Sequence, residues 1–176
     1  MSPERASLIT RRLDILGASK GREMTSEECF EAAVQVENLM RDIYVRLSER
    51  FAADPRLKEV FLRLADEEEQ HASRIRLLAK HQTGGTWAEE TARRISKDLG
   101  EMAAELLAMV ADLEEDWNTR SSREILRRVM EVERRCAAVH AEELAQTAEI
   151  DVQVLFWALA RQDVHHKNLL EKALVP

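Results

Sequence analysis

Two short stretches of the chain carry an acidic residue three positions before a histidine, Glu68 with His71 and Asp163 with His166. On an α-helix this spacing puts both side chains on one face, so a carboxylate oxygen and an imidazole nitrogen can meet at one point. The contexts match as well. Leu64-Ala65 precedes the first pair and Leu159-Ala160 the second, at an offset of 95 residues. Oxygen and imidazole donors without a thiolate suit iron or manganese, so metal binding is the chemistry these residue types offer.

A second correspondence accompanies the first. Val36-Glu37 is followed seven positions later by Tyr44, and Val132-Glu133 is followed seven positions later by His140, at an offset of 96 residues. The chain therefore reads as an internal duplication in which each half supplies one carboxylate and then a carboxylate with a histidine. Acidic residues make up about a fifth of the chain, so its five histidines should give about one acidic-x-x-His match by chance. A single match carries little weight; two in equivalent turns, each after a helix with a glutamate in the corresponding place, carry much more. Glu37 lies among Ala33, Val34, Met40 and Ile43, where a helix faces a bundle interior. Four buried carboxylates converging on one centre would repel strongly unless protonated or bound to cations, and two divalent ions would balance them. Two glutamates and two acidic-x-x-His pairs are the scheme of a carboxylate-bridged metal pair in a four-helix bundle.

The elements that must position these residues are legible in the same sequence. Five glycines and three prolines in 176 residues, against abundant Ala, Leu, Glu and Arg, favour long helices and an all-α fold. Thr25 with Glu28 forms a capping box that opens a helix running to Phe51. Asp54 caps a second helix starting at Pro55 and reaching about Lys80. Thr86 with Glu89 opens one or two connecting helices, over 87–99 and 101–117. Ser121 with Glu124 opens a third long helix to about Gln146, and 151–174 supplies a fourth. Short turns within pairs and a long link between them predict a ferritin-like four-helix bundle: hairpin 25–81, an exposed crossover 82–120, hairpin 121–176. Residues 1–24, with a short helical pattern in Leu8, Ile9, Leu13 and Ile15, are expected to form an added arm.

A net charge of -7 argues against a nucleic-acid or anionic-membrane surface. Cys29 and Cys136 form no CxxC pattern, so neither a disulfide framework nor a zinc-ribbon or rubredoxin-type module is expected. No apolar run reaches the length of a membrane span, and the first residues lack a secretory pattern, so a cytoplasmic protein is expected.

At these residues the sequence resembles the rubrerythrin and bacterioferritin branch of ferritin-like proteins, over about 26–81 and 121–174. The resemblance implies that Glu37, Glu68, His71, Glu133, Asp163 and His166 are ligands to two iron ions, with manganese or zinc able to occupy the same site. It implies that Glu68 and Asp163 span the two ions, and that Tyr44 is a hydrogen-bond partner of the ligands, with His140 in its place in the other half. The implied activity is reduction of peroxide or dioxygen, or oxidation of Fe(II). The chain departs from the pattern in three respects. Asp163 stands where the family usually has Glu, Cys136 stands where rubrerythrins carry an extra glutamate, and there is no rubredoxin module. A separate electron donor, rubredoxin-like or a flavoprotein, is therefore expected, along with a homodimer or small homo-oligomer.

Plainer readings exist for each residue. Glu37 could pair with Arg41 across one helical turn, and Glu133 with Arg134. Glu67 and Glu69 read as solvated or arginine-paired, His165 as off the ligand face, His81 as a helix-end residue, and Cys136 as a buried inert thiol. Trp87, Trp117 and Trp157 read as packing or interface residues. Three other functions fit the pattern: an iron-storage ferroxidase, a hydroxylase, and a helical adaptor whose metal site has degenerated.

Overall fold

The computed structural model describes residues 25–81, 89–115, 120–143 and 150–174. The expected arm, the capping box at Thr86 and Glu89, and the side chains of Trp87 and Trp117 lie outside them. Helix α1 spans Ser26–Arg50, α2 Pro55–His81, α3 Glu89–Glu115, α4 Ser122–Ala138 and α5 Ile150–Ala173, and α4 continues into a π-helical turn over Val139–Glu143. Among the described residues there is no strand. No helix among them is long and apolar enough to cross a membrane.

The helix starts form for local reasons. In α1 the Thr25 hydroxyl accepts from the Glu28 amide while the Glu28 carboxylate accepts from the Thr25 amide, and Ser121 with Glu124 repeats the arrangement at α4. Asp54 Oδ1 accepts from the amides of Arg56 and Leu57, both at 3.1 Å, which satisfies two donors that α2 leaves open at its start.

Helix α1 packs along α2, α4 along α5, and α2 along α5, which is the ferritin-like all-α bundle. The connecting segment differs from expectation in one respect, its burial. One helix of 27 residues runs unbroken through Gly100, and it is no exposed link. Ile95, Leu99, Met102, Ala103, Leu106, Met109 and Val110 are all buried, a stripe at helical spacing that lies against α1. Of the one or two helices expected, one forms: a single glycine costs a helix interior only about 1 kcal/mol, far less than the burial of that stripe returns. A Cβ built at Gly100 meets nothing within 4 Å. Gly100→Ala should therefore raise stability by about 0.5–1 kcal/mol, read as a higher denaturant midpoint at unchanged slope.

Two aromatic layers bracket the middle of the bundle. Phe61 stacks on Tyr44 and Phe51, with ring centroids at 6.0 and 5.5 Å, and Phe30 stacks on Phe156 at 6.5 Å. Between these layers the helices present acids and imidazoles.

Candidate metal centre

Nine polar or charged side chains are buried among the described residues, and seven of them are Glu37, Glu68, His71, Glu133, His140, Asp163 and His166. Each is at most 2% exposed. Glu37 comes from α1, Glu68 and His71 from α2, Glu133 from α4, His140 from its π turn, and Asp163 and His166 from α5. Carboxylates outnumber imidazoles four to three, an arrangement with an uncompensated negative charge unless protons or cations are taken up.

Glu68 lies at the middle of this cluster. Its Oε2 is 2.9 Å from His71 Nδ1, and its Oε1 is 3.1 Å from His166 Nδ1. His71 Nδ1 also lies 3.3 Å from Glu37 Oε2, and His166 Nδ1 lies 3.5 Å from Glu133 Oε1. Two triads result, Glu37–Glu68–His71 and Glu68–Glu133–His166, each with ligand atoms close enough to surround one ion. They share one carboxylate. The two rings lie nearly parallel with centroids 5.4 Å apart.

The surrounding partners repeat across the two halves. The Tyr44 hydroxyl on α1 donates to Glu133 on α4, while His140 on the π turn reaches back to Glu37 on α1, with Nε2 3.1 Å from Oε1. His140 makes a second contact, Nδ1 to Asp163 Oδ2 at 2.7 Å. Asp163 belongs to neither triad. The repeat had put it on a par with Glu68; the structure sets its carboxylate against His140 instead.

Glu67 is arginine-paired as expected, and has a second partner that the sequence did not show. Its carboxylate takes Arg63 at 2.8 Å and also His166 Nε2 at 2.9 Å, so a line from Arg63 through Glu67 fixes the ring from behind. Glu67 precedes Glu68 by one position and therefore points about 100° around α2, toward α5; only the packing of α2 on α5 reveals that a histidine stands there. The other neighbours behave as expected. Glu69 pairs with Arg41, which also holds Asp42, so Arg41 serves neighbours other than Glu37. Arg134 pairs with Glu131 and leaves Glu133 to the interior. His165 is exposed. Cys136 is buried with its thiol 3.5 Å from Met102 Sδ, and burial, reinforced by Asp163 and Glu133, pushes its pKa well above the ordinary thiol value. With no cation beside it, that thiol stays protonated at neutral pH.

The electrostatics show groups that share protons as long as nothing else balances them. Burial raises Glu133 to about 7 and also raises Glu68, despite the opposing histidines. Burial would lower the histidines, yet the adjacent carboxylates of Glu37 and Glu68 lift His71 to about 10, and those of Glu133 and Glu68 lift His166 to about 12. Burial pushes Glu37 up too, but His140 and His71 overcome it and hold the carboxyl well below the usual range.

Several contacts are short without being aligned as hydrogen bonds. Glu37 Oε1, His71 Nε2, Glu133 Oε2 and His166 Nδ1 are buried with no hydrogen-bond partner. Buried polar atoms in native proteins are almost always paired. Buried ligand atoms left without a hydrogen bond beside two triads that share a carboxylate suit bound cations, and the set of carboxylates and imidazoles suits iron, manganese or zinc. The residues therefore fit a metal pair.

Among the described residues Tyr44 gives Glu133 Oε1 its one hydroxyl, and Oε2 has no hydrogen-bond partner. Tyr44→Phe should loosen that carboxylate and weaken metal binding by about tenfold, read by competition with a chromophoric chelator.

An antiparallel helix bundle with acids and imidazoles converging from all four of its main helices defines the ferritin-like class of carboxylate-rich proteins. The family model for rubrerythrin matches residues 28–174, and the chain belongs to the rubrerythrin family. No curated protein and no solved structure gives a significant match.

Proposed function

We propose that this protein is a non-haem di-iron oxidoreductase of the rubrerythrin type, with Glu37, Glu68 and His71 holding one ion and Glu68, Glu133 and His166 the other. The observation that carries this reading is the position of Glu68, whose two oxygens each face the Nδ1 of a different histidine. An iron pair bound there would supply the electrons that reduce peroxide or dioxygen.

The chain's own groups prepare the site. Glu68 ties the two triads together from α2. Tyr44 fixes Glu133, and Glu67 fixes His166, so the donors are held in place before any ion arrives. The layers formed by Phe61 with Tyr44 and by Phe30 with Phe156 keep bulk water from the centre along the bundle axis. Cys136, which stands where rubrerythrins carry an extra glutamate, sets its thiol against Met102.

Elemental analysis should find close to two transition-metal ions per chain. The reduced, iron-loaded protein should be oxidised in proportion to added peroxide or oxygen, and a ferrous spectrum unchanged on mixing would reject the reading. Ile150, Val154, Trp157 and Val164 stand 49–73% exposed on the outward face of α5, a surface that favours a small homo-oligomer. Sedimentation as a monomer, dimer or similar small species excludes a storage shell and leaves the redox reading intact.

A further inference from the structure

The two halves of the centre differ most at one pair of equivalent positions, Tyr44 and His140. A phenol has a single hydroxyl and serves one carboxylate, Glu133. An imidazole has two nitrogens on different edges of its ring. His140 Nε2 lies 3.1 Å from Glu37 Oε1, the mirror of the Tyr44 contact. Its Nδ1 lies 2.7 Å from Asp163 Oδ2, and that contact has no counterpart in the first half, where Glu68 gives both its oxygens to the histidines of the triads. Asp163 is one methylene shorter than a glutamate, so its carboxylate stays close to α5. The π turn that carries His140 packs directly on α5. Both side chains are buried, at 1% and 2% exposure, so water does not compete for the contact.

Resting on the di-metal reading above, we propose that His140 is a positioning residue that holds Asp163 out of the bridge, so that two bound ions are joined through Glu68 alone. The consequence is stepwise loading. The first ion takes up Glu68 without competition, and the second must share it with no further bridging carboxylate to draw on. A His140→Phe substitution removes both ring nitrogens at similar shape and frees Asp163 to serve as a ligand. A His140→Asn substitution keeps a neutral N–H donor near the Nδ1 position and should keep Asp163 where it is.

Co(II) titration of the full-length, metal-free protein, followed by visible absorption, tests this. The wild type should show two resolved steps. In His140→Phe the second step should tighten by about tenfold, with altered d–d bands as an oxygen ligand is added. Both variants lose the Nε2 contact to Glu37, so the first step should weaken alike in each. His140→Asn should keep the second step as weak as in the wild type, and because it too lacks a charge, it separates positioning from a change in electrostatics. Asp163→Asn, which needs no change at His140, should leave both steps in place. Two equal steps in the wild type would overturn the proposal, as would identical second steps in the Phe and Asn variants, or weakening of both steps by Asp163→Asn. Failure of the wild type to bind any Co(II) would overturn the di-metal reading itself, an outcome distinct from all of these.

Discussion

Replacing Glu68 by Gln should reduce the metal content from about two ions per chain to less than one, and abolish oxidation of the reduced protein by peroxide. No other side chain serves both triads, so one substitution removes a ligand atom from each. An amide oxygen remains, but it is a far weaker donor to a hard divalent cation than a carboxylate. The metal-free variant separates loss of binding from loss of fold. Among the seven clustered groups, four acids face three imidazoles, and removing one acid brings them to parity. The metal-free Glu68→Gln protein should therefore unfold at the same temperature as the metal-free wild type or higher. A variant that melts well below it would point to a structural role for the carboxylate and would undermine the assignment.

Phe61→Ala should cost about 3–5 kcal/mol, the largest stability loss expected for a single core substitution in this chain. Phe61 is fully buried on α2 and stacks on both Tyr44 and Phe51, so its removal empties the layer that closes one end of the centre. Domains of this size are stable by only about 5–15 kcal/mol, and the variant should unfold at a much lower denaturant concentration. It should also loosen Tyr44 and with it the hydrogen bond to Glu133. Metal affinity should fall together with stability. In Gly100→Ala, far from the centre in sequence and facing open space, stability should rise while affinity stays fixed.

The helices were legible because each one's pattern is local: a cap, a run of apolar residues at helical spacing, a stop. Thr25 with Glu28 and Ser121 with Glu124 form the boxes that their spacing predicts. The convergence of acids and histidines was legible for a different reason. The two halves repeat, and a repeat carries information about three dimensions that a single segment lacks. What stayed hidden depends on neighbours that no spacing rule reports. Glu67 meets His166 only because α2 lies against α5, 99 positions on. Asp163 turns to His140 rather than to the triads because a short side chain chooses among partners by fractions of an ångström. The spacing left one or two connecting helices open, because the buried stripe from Ile95 to Val110 that makes them one is a tertiary feature.

That one carboxylate is common to both triads has a thermodynamic corollary. An ion settling beside His71 polarises Glu68 and alters what its other oxygen offers beside His166, so the two positions cannot be independent. Linkage makes this reciprocal: whatever factor occupancy of the first imposes on the affinity of the second, occupancy of the second imposes on the first. A metal exchanged at either end should thus be sensed at the other with no movement of the backbone, through the polarisation of a single side chain.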